Sequence, residues 1–148
     1  PGVRHAEVSR RWPATLRIEL DEAVPVALTP RGDSLALIDA RGRVLPFDPL
    51  NSAPDLPVAQ SADSLVARLL GRIQDFSPTL FAIVVTAHRE QGDVVLNVGG
   101  PSLRFRPDAS AEDMRAVKAV VDVLARSGRR YRELDGRFAG QGILRGGA

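Results

Sequence analysis

The sequence predicts an α+β fold: a partial layer of strands, then a mixed or antiparallel sheet carrying two amphipathic helices. Three observations predict it. Apolar and polar residues alternate with period two in several short stretches, the mark of half-buried strands. Glycine, proline and aspartate clusters separate those stretches. Apolar residues recur at helical spacing in only two places, between Ser61 and Ser77 and between Ser110 and Gly128. At 148 residues, 44% hydrophobic and 26% charged, the chain has the balance of a globular domain. Folding at this length buries roughly 70% of the unfolded surface, enough for a core without staples.

In chain order, Val3 to Arg11 alternates as a strand, with Ala6 and Val8 pointing one way, and Arg11-Trp12-Pro13 supplies a turn. Trp12, a large aromatic between two strands, reads as a turn-anchoring core residue. Leu16, Ile18 and Leu20 then alternate with Thr15, Arg17, Glu19 and Asp21. Pro25 has no amide hydrogen to give a central strand, so the ribbon must bend, shift or lie on an edge there. Ser34 to Ile38 and Arg43 to Leu45 form a hairpin about Asp39-Ala40-Arg41-Gly42. The proline-rich stretch from Pro46 to Pro57 reads as a connecting loop.

Ser61 or Ser64 caps the first helix, whose apolar face is Leu65, Val66, Leu69, Leu70 and Ile73, and Ser77-Pro78 stops it. Leu80 to Ala87 is a continuous apolar run rich in β-branched residues, the pattern of a strand covered on both faces. Val94 to Val98 and Ser102 to Arg106 make a hairpin around Gly99-Gly100-Pro101. Ser110 caps the second helix, because Asp113 stands where a capping carboxylate reaches back; Met114, Val117, Val121 and Leu124 follow, and Gly128 ends it. Two short strands close the chain, Arg130 to Leu134 and Gly142 to Arg145, around a bend at Gly140-Gln141-Gly142.

Composition excludes much chemistry. The absence of cysteine removes disulfides, thiolate metal sites and thiol nucleophiles, and leaves the redox compartment open. Only His5 and His88 remain for metal or acid/base work; they are distant in sequence, without a partner motif, and both read as surface residues. Gly99-Gly100-Pro101 lacks the lysine of a phosphate loop. Asp21 and Glu22, adjacent on a strand, point to opposite faces and are poorly placed to share a substrate. The isoelectric point near 9.9 reflects arginine chemistry, since 20 basic against 18 acidic residues leave +2. The arginines interleave with acids instead of forming a phosphate-binding stripe. No apolar run approaches the roughly 18 to 20 residues that span a bilayer. The sequence opens at Pro1-Gly2, which leads us to expect a processed chain or a fragment. Many strands, two helices and no reactive constellation suggest a domain that presents surfaces, a sheet edge being the simplest.

Five stretches, in order, carry a resemblance. Val3, Ala6, Val8, Arg10, Trp12-Pro13, Thr15-Leu16 and Ile18, within the stretch from Pro1 to Ile18, are similar to the run that closes the POTRA domain in the bacterial cell-division family FtsQ/DivIB. Glu22-Ala23-Val24-Pro25-Val26-Ala27 resembles the family's E-R-x-P-V-A, with Ala23 where arginine is usual. Leu37-Ile38-Asp39-Ala40-Arg41-Gly42-Arg43-Val44 resembles its L-V-D-x-x-G-x-V, and Leu56-Pro57 its L-P. Leu134-Asp135-Gly136-Arg137-Phe138 is similar to its terminal V-D-L-R-[YF], with Gly136 where leucine is usual, a departure expected to weaken the last strand locally.

The resemblance implies residues 1–28 as the end of a POTRA domain and 29–148 as the family's β domain. It implies a non-enzymatic scaffold, extracytoplasmic, with a single transmembrane anchor upstream, that recruits FtsB (DivIC) and FtsL type partners to the septum. By that resemblance the partner peptide lies along the last strand edge, beside the second helix, at Arg137, Phe138, Gly140, Gln141 and Ile143. Phe138 is then either an aromatic anchor or part of the core, and Arg115, Lys118 and Arg137 steer an acidic segment or are simply solvated or paired. No catalytic residue, cofactor, metal, nucleic acid or small-molecule substrate is expected. The competing classes are another POTRA-linked interaction module, a carboxylate hydrolase with two acids joined in a deep pocket, and a nucleic-acid module with a contiguous arginine face.

Overall fold

A computed structural model describes residues 3–52 and 55–146, the side chains of 21, 50 and 52 excepted. Pro1 and Gly2, which open the first family-like stretch, lie outside the described residues. Strands β1 (Val3–Arg11) and β2 (Thr15–Glu22) pair antiparallel as a separate two-stranded ribbon, with Ala6 opposite Leu20 and Val8 opposite Ile18. Alternation therefore sorts Ala6, Val8, Leu16, Ile18 and Leu20 onto one face. No described element covers that face: Val8, Leu16, Ile18 and Leu20 are all exposed. Trp12, at the tip of the ribbon, is 91% exposed and not the core residue that its size suggested, because no other element among the described residues packs at that turn.

The main sheet begins at β3 (Pro25–Arg31), so the ribbon and the sheet are joined through Ala23 and Val24. The next elements are β4 (Ser34–Asp39), β5 (Val44–Leu45), the single turn α1 (Pro49–Ser52), β6 (Val58–Ala59), α2 (Ser64–Phe76), the turn α3 (Pro78–Phe81), β7 (Thr86–Glu90), β8 (Asp93–Asn97), β9 (Ser102–Phe105), α4 (Ala111–Ser127), β10 (Glu133–Phe138) and β11 (Gln141–Arg145). The nine strands run in the order β11-β10-β9-β8-β7-β6-β3-β4-β5, with β3/β6, β6/β7 and β9/β10 parallel and the other neighbours antiparallel.

This topology decides which face is covered. The crossovers β6–α2–β7 and β9–α4–β10 step across the sheet in the same direction, from strands that point the same way. Right-handed connection then puts both helices on one face. The core lies there: Val66, Leu69, Leu70 and Ile73 of α2 and Met114, Val117 and Val121 of α4 meet Ile38, Ala87, Val94, Leu96, Leu103, Phe105 and Leu134. The large side chains among them each gain roughly 1.5–3 kcal/mol from burial. The opposite face carries a small apolar patch at Ala23, Leu28, Leu37 and Leu45, and from β7 to β11 it is mostly polar, with Val95 buried among the charged side chains and Ile143 near the edge.

Local expectations fared unevenly. The cap of α2 is Asp63, not Ser61 or Ser64: its Oδ1 accepts from the amides of Leu65 at 2.8 Å and Val66 at 3.3 Å. A carboxylate is the stronger acceptor there. The run from Leu80 to Ala87 is not one strand. Pro78 at the first helical position starts the turn α3, and the strand begins only at Thr86. Leu80, Phe81, Val84 and Ala87 are nevertheless core, while Ile83 and Val85 are exposed. His88 sits within β7, half-buried, and not in a surface loop. The stretch from Pro46 to Pro57 contains the turn α1. The closing strand starts at Glu133 and runs to Phe138, later than Arg130 to Leu134. The capping box at Ser110 and the left-handed Gly128 (φ 64°) stand as the sequence predicts.

Candidate functional site: the free edge of the last strand

The sequence Glu133-Leu134-Asp135-Gly136-Arg137-Phe138 alternates, and alternation separates its tasks. Leu134 and Gly136 face α4. A Cβ at Gly136 would lie 2.5 Å from Val117 Cγ2 and 3.2 Å from Phe105 Cε1. The glycine is thus the close-approach point at which the helix seats on the strand, and the pairing of β10 with β11 is irregular around it, between Asp135 and Phe138.

Asp135 faces the other way and is fully buried. Arg137 donates to it from Nε at 2.8 Å, from Nη2 at 2.7 Å and from its backbone amide at 3.1 Å, and Arg145 Nη2 lies 3.0 Å from Oδ2. Arg137 also reaches Asp93 at 2.8 Å. Arg104 extends the network, 3.7 Å from Asp93, 3.3 Å from Glu133 and paired with Glu90. The polar face of β7 to β11 is therefore laced by charge pairs that brace the edge strand from behind. Hydrogen bonds from Arg137, against the upward pull of burial, hold the Asp135 carboxyl below its ordinary value. Arg137 is correspondingly raised, first by its bond to Asp135.

The hairpin tip has its own tether. Asp113 Oδ2 accepts from the Ser110 amide at 2.8 Å and hydroxyl at 2.9 Å, while Oδ1 accepts from the Gly140 amide at 3.1 Å. One carboxylate caps α4 and holds the β10–β11 turn. Those donors, led by the Ser110 amide, keep Asp113 below its ordinary value despite its burial.

With β10 on one side, β11 has no strand on the other among the described residues. Beside that free edge an apolar groove of 300 Å³ lies between α4 (Ala119, Val120, Val123, Leu124) and Leu144, with Arg129 at its end. Val123 is 55% exposed, a large aliphatic side chain on the solvent side of a helix.

The sequence-predicted residues distribute as follows. Phe138 is 44% exposed at the end of β10 and belongs to neither buried apolar cluster. Gln141 pairs with it across the turn, Gly140 is held by Asp113, and Ile143 stands half-exposed on β11 opposite Asp135. Arg137 is engaged by two carboxylates. Lys118 pairs with Asp122 at 2.6 Å one turn along α4, and Arg115 is exposed. Sequence reasoning missed Val120, Val123 and Leu144. The available signal was that Val120 and Val123 fall off the buried series Met114, Val117, Val121 and Leu124 yet stay apolar.

The shifted carboxyls suit structure more than proton transfer. In Asp39, burial pulls upward, but the Arg43 guanidinium and the Arg43 and Arg41 amides together hold the group below its ordinary value. Glu90 is likewise lowered by Arg104. No group of His, Asp and Glu suited to a metal ion occurs among the described residues.

An open edge, a groove beside it and a brace behind it define a surface-presenting α+β domain. No family model matches the chain. It is 31% identical over 86 residues to the cell division protein FtsQ of Zymomonas mobilis, covering 57% of this chain and 27% of that protein. It is 35% identical over 80 residues to the FtsQ proteins of Neisseria meningitidis and Neisseria gonorrhoeae, covering 54% of this chain and 32% and 31% of those proteins. Among solved structures, the major extracytoplasmic domain of DivIB from Geobacillus stearothermophilus, as its trans isomer, aligns with a TM-score of 0.49 at 15% identity, covering 72% of this chain and 97% of that one. Over somewhat more than half its length, then, the chain is similar in sequence to FtsQ cell-division proteins. It spans about a third or less of the length of the curated relatives it matches.

Proposed function

We propose that this chain works in cell division as a non-enzymatic docking domain: β11 accepts an added strand from a membrane partner of the FtsB (DivIC) or FtsL type. The observation that carries this reading is the juxtaposition of the unpaired β11 edge with the apolar groove along Val120, Val123 and Leu144. Strand addition supplies main-chain hydrogen bonds, and alternate side chains of the incoming strand fill the groove and set its register. Phe138, Gln141 and Ile143 border the seat, and Gly140 fixes its turn. In this reading the chain is the extracytoplasmic part of a protein anchored by one transmembrane helix at the septum. No helix among the described residues is long and apolar enough to cross a membrane. The ribbon of β1 and β2 is the closing part of a POTRA domain, whose missing layer would cover Ala6, Val8, Leu16, Ile18 and Leu20. The main sheet is the β domain.

The test is binding of the purified chain to a peptide from the extracytoplasmic, post-coiled-coil part of the same genome's FtsB-type protein. Dissociation constants of about micromolar or tighter are expected for such an interface. The Phe138→Ala and Val123→Glu variants, each first checked for native folding, should bind at least about tenfold more weakly. A folded chain that ignores this peptide would move the reading to another POTRA-linked module with a different partner.

A further inference from the structure

The docking edge is electrostatically lopsided. At its far end, where α4 stops and β11 finishes, Arg129, Arg130 and Arg132 are all exposed. Arg129 closes the apolar groove beside Leu144, and Arg132 lines a second open cleft of 550 Å³ with Tyr131, Glu133, Arg145 and Gly146. The Arg132 side chain runs within 3.3 Å of where a Cβ on Gly146 would stand, and its amide donates to the Gly146 carbonyl at 3.0 Å, so it flanks the outgoing end of the strand. None of the three guanidiniums meets a carboxylate among the described residues. The nearby acids are already engaged: Glu133 by Arg104, Asp122 by Lys118, Asp135 by Arg137 and Arg145. The hairpin end of the same edge is mixed, with Glu112 close to Gly140 and Asp108 beside Arg106, against the exposed Arg115.

Resting on the docking reading above, we propose that the partner's strand continues, past the Arg145 end of β11, into an acidic segment held by Arg129, Arg130 and Arg132. A cationic cluster at one end of an otherwise nearly neutral edge fits a partner whose charge lies on one flank only. It thereby sets which way the strand lies as well as accelerating encounter. Guanidinium groups suit this role, because each offers a carboxylate a two-pronged seat. A peptide is favoured over an anionic membrane surface because the cluster is continuous with a groove and a strand edge, both shaped for a chain.

The experiment uses the full chain and three labelled peptides: an alternating Thr-Val strand alone, the same strand with four glutamates before it, and with four glutamates after it. One acidic form should bind about tenfold more tightly than the plain strand at low salt, with the gain mostly lost at 0.5 M NaCl. The gain should vanish in R129S/R130S/R132S, judged against that variant's own affinity for the plain strand. If the plain strand binds and neither glutamate flank helps, or if the gain survives in the triple variant, the acidic-flank inference is overturned while the docking reading stands. If no peptide protects or occupies β11, both fall. Binding to vesicles containing 30% phosphatidylglycerol that depends on the three arginines, with no gain from either flank, would assign the cluster to the membrane and overturn the inference.

Discussion

The carboxylate of Asp113 accepts the backbone amide of Gly140 at 3.1 Å while its other oxygen holds the amide and hydroxyl of Ser110. The start of α4 and the turn of the edge hairpin therefore share one anion, which ties β11 to the helix it lies beside.

Asp113→Ala should cost more than Ser110→Ala, because it removes the carboxylate half of the capping box and the tether together, leaving only the Ser110 hydroxyl to accept the amide of residue 113. We expect about 1–2 kcal/mol for the cap alone, measured by urea unfolding. The discriminating readout is peptide affinity, which should fall in Asp113→Ala and hold in Ser110→Ala.

Gly136→Ala should destabilise by about 1–3 kcal/mol, since the new methyl meets the stiff Val117 side chain inside van der Waals distance. Val117→Ala in the same chain should return part of that loss. A pair of additive losses would show that the strand and helix do not meet as described.

Asp135→Asn should leave Arg137 and Arg145 short of their shared anion. Both arginines keep partial solvent contact, so we expect a loss of about 1–3 kcal/mol, below that of a fully buried pair. Hydrogen exchange at β11 should quicken more than at β8, which lies deeper in the sheet.

Acid should unfold the chain through lowered carboxyls. Asp39, Asp113 and Asp135 all stand below the ordinary aspartate value in the folded state. Their contribution is therefore complete above that value and is lost as pH falls through the still lower folded values. Stability should stay flat from neutral pH to about 5 and drop below about 4. The drop should be shallower in Asp135→Asn, as followed by circular dichroism against pH.

The contrast between helix caps and the central apolar run explains what the sequence could reveal. The Ser110/Asp113 box was legible because its two partners lie three residues apart and act locally. So were the alternating ribbon and the β8–β9 hairpin, whose turn residues stand in plain view. The run from Leu80 to Ala87 misled because continuous apolarity suits a buried helix turn as well as a strand, and Pro78 tipped the balance. At the edge, Phe138 was visible as an aromatic in a motif. The groove was not, because it needs Val120 and Val123 brought beside Leu144 by a crossover that local spacing does not encode. Gly136 looked like a defect for the same reason: its value lies in Val117, far away in sequence.

The central claim is that β11 is the seat of the partner. Amide exchange of the full chain, with and without the FtsB-type peptide at saturating concentration, tests it most directly. The account predicts slowed exchange confined to residues 138–146 and the facing turn of α4 around Val120 and Val123. Protection of the ribbon from Val3 to Glu22, with β11 exchanging as fast as before, would contradict it.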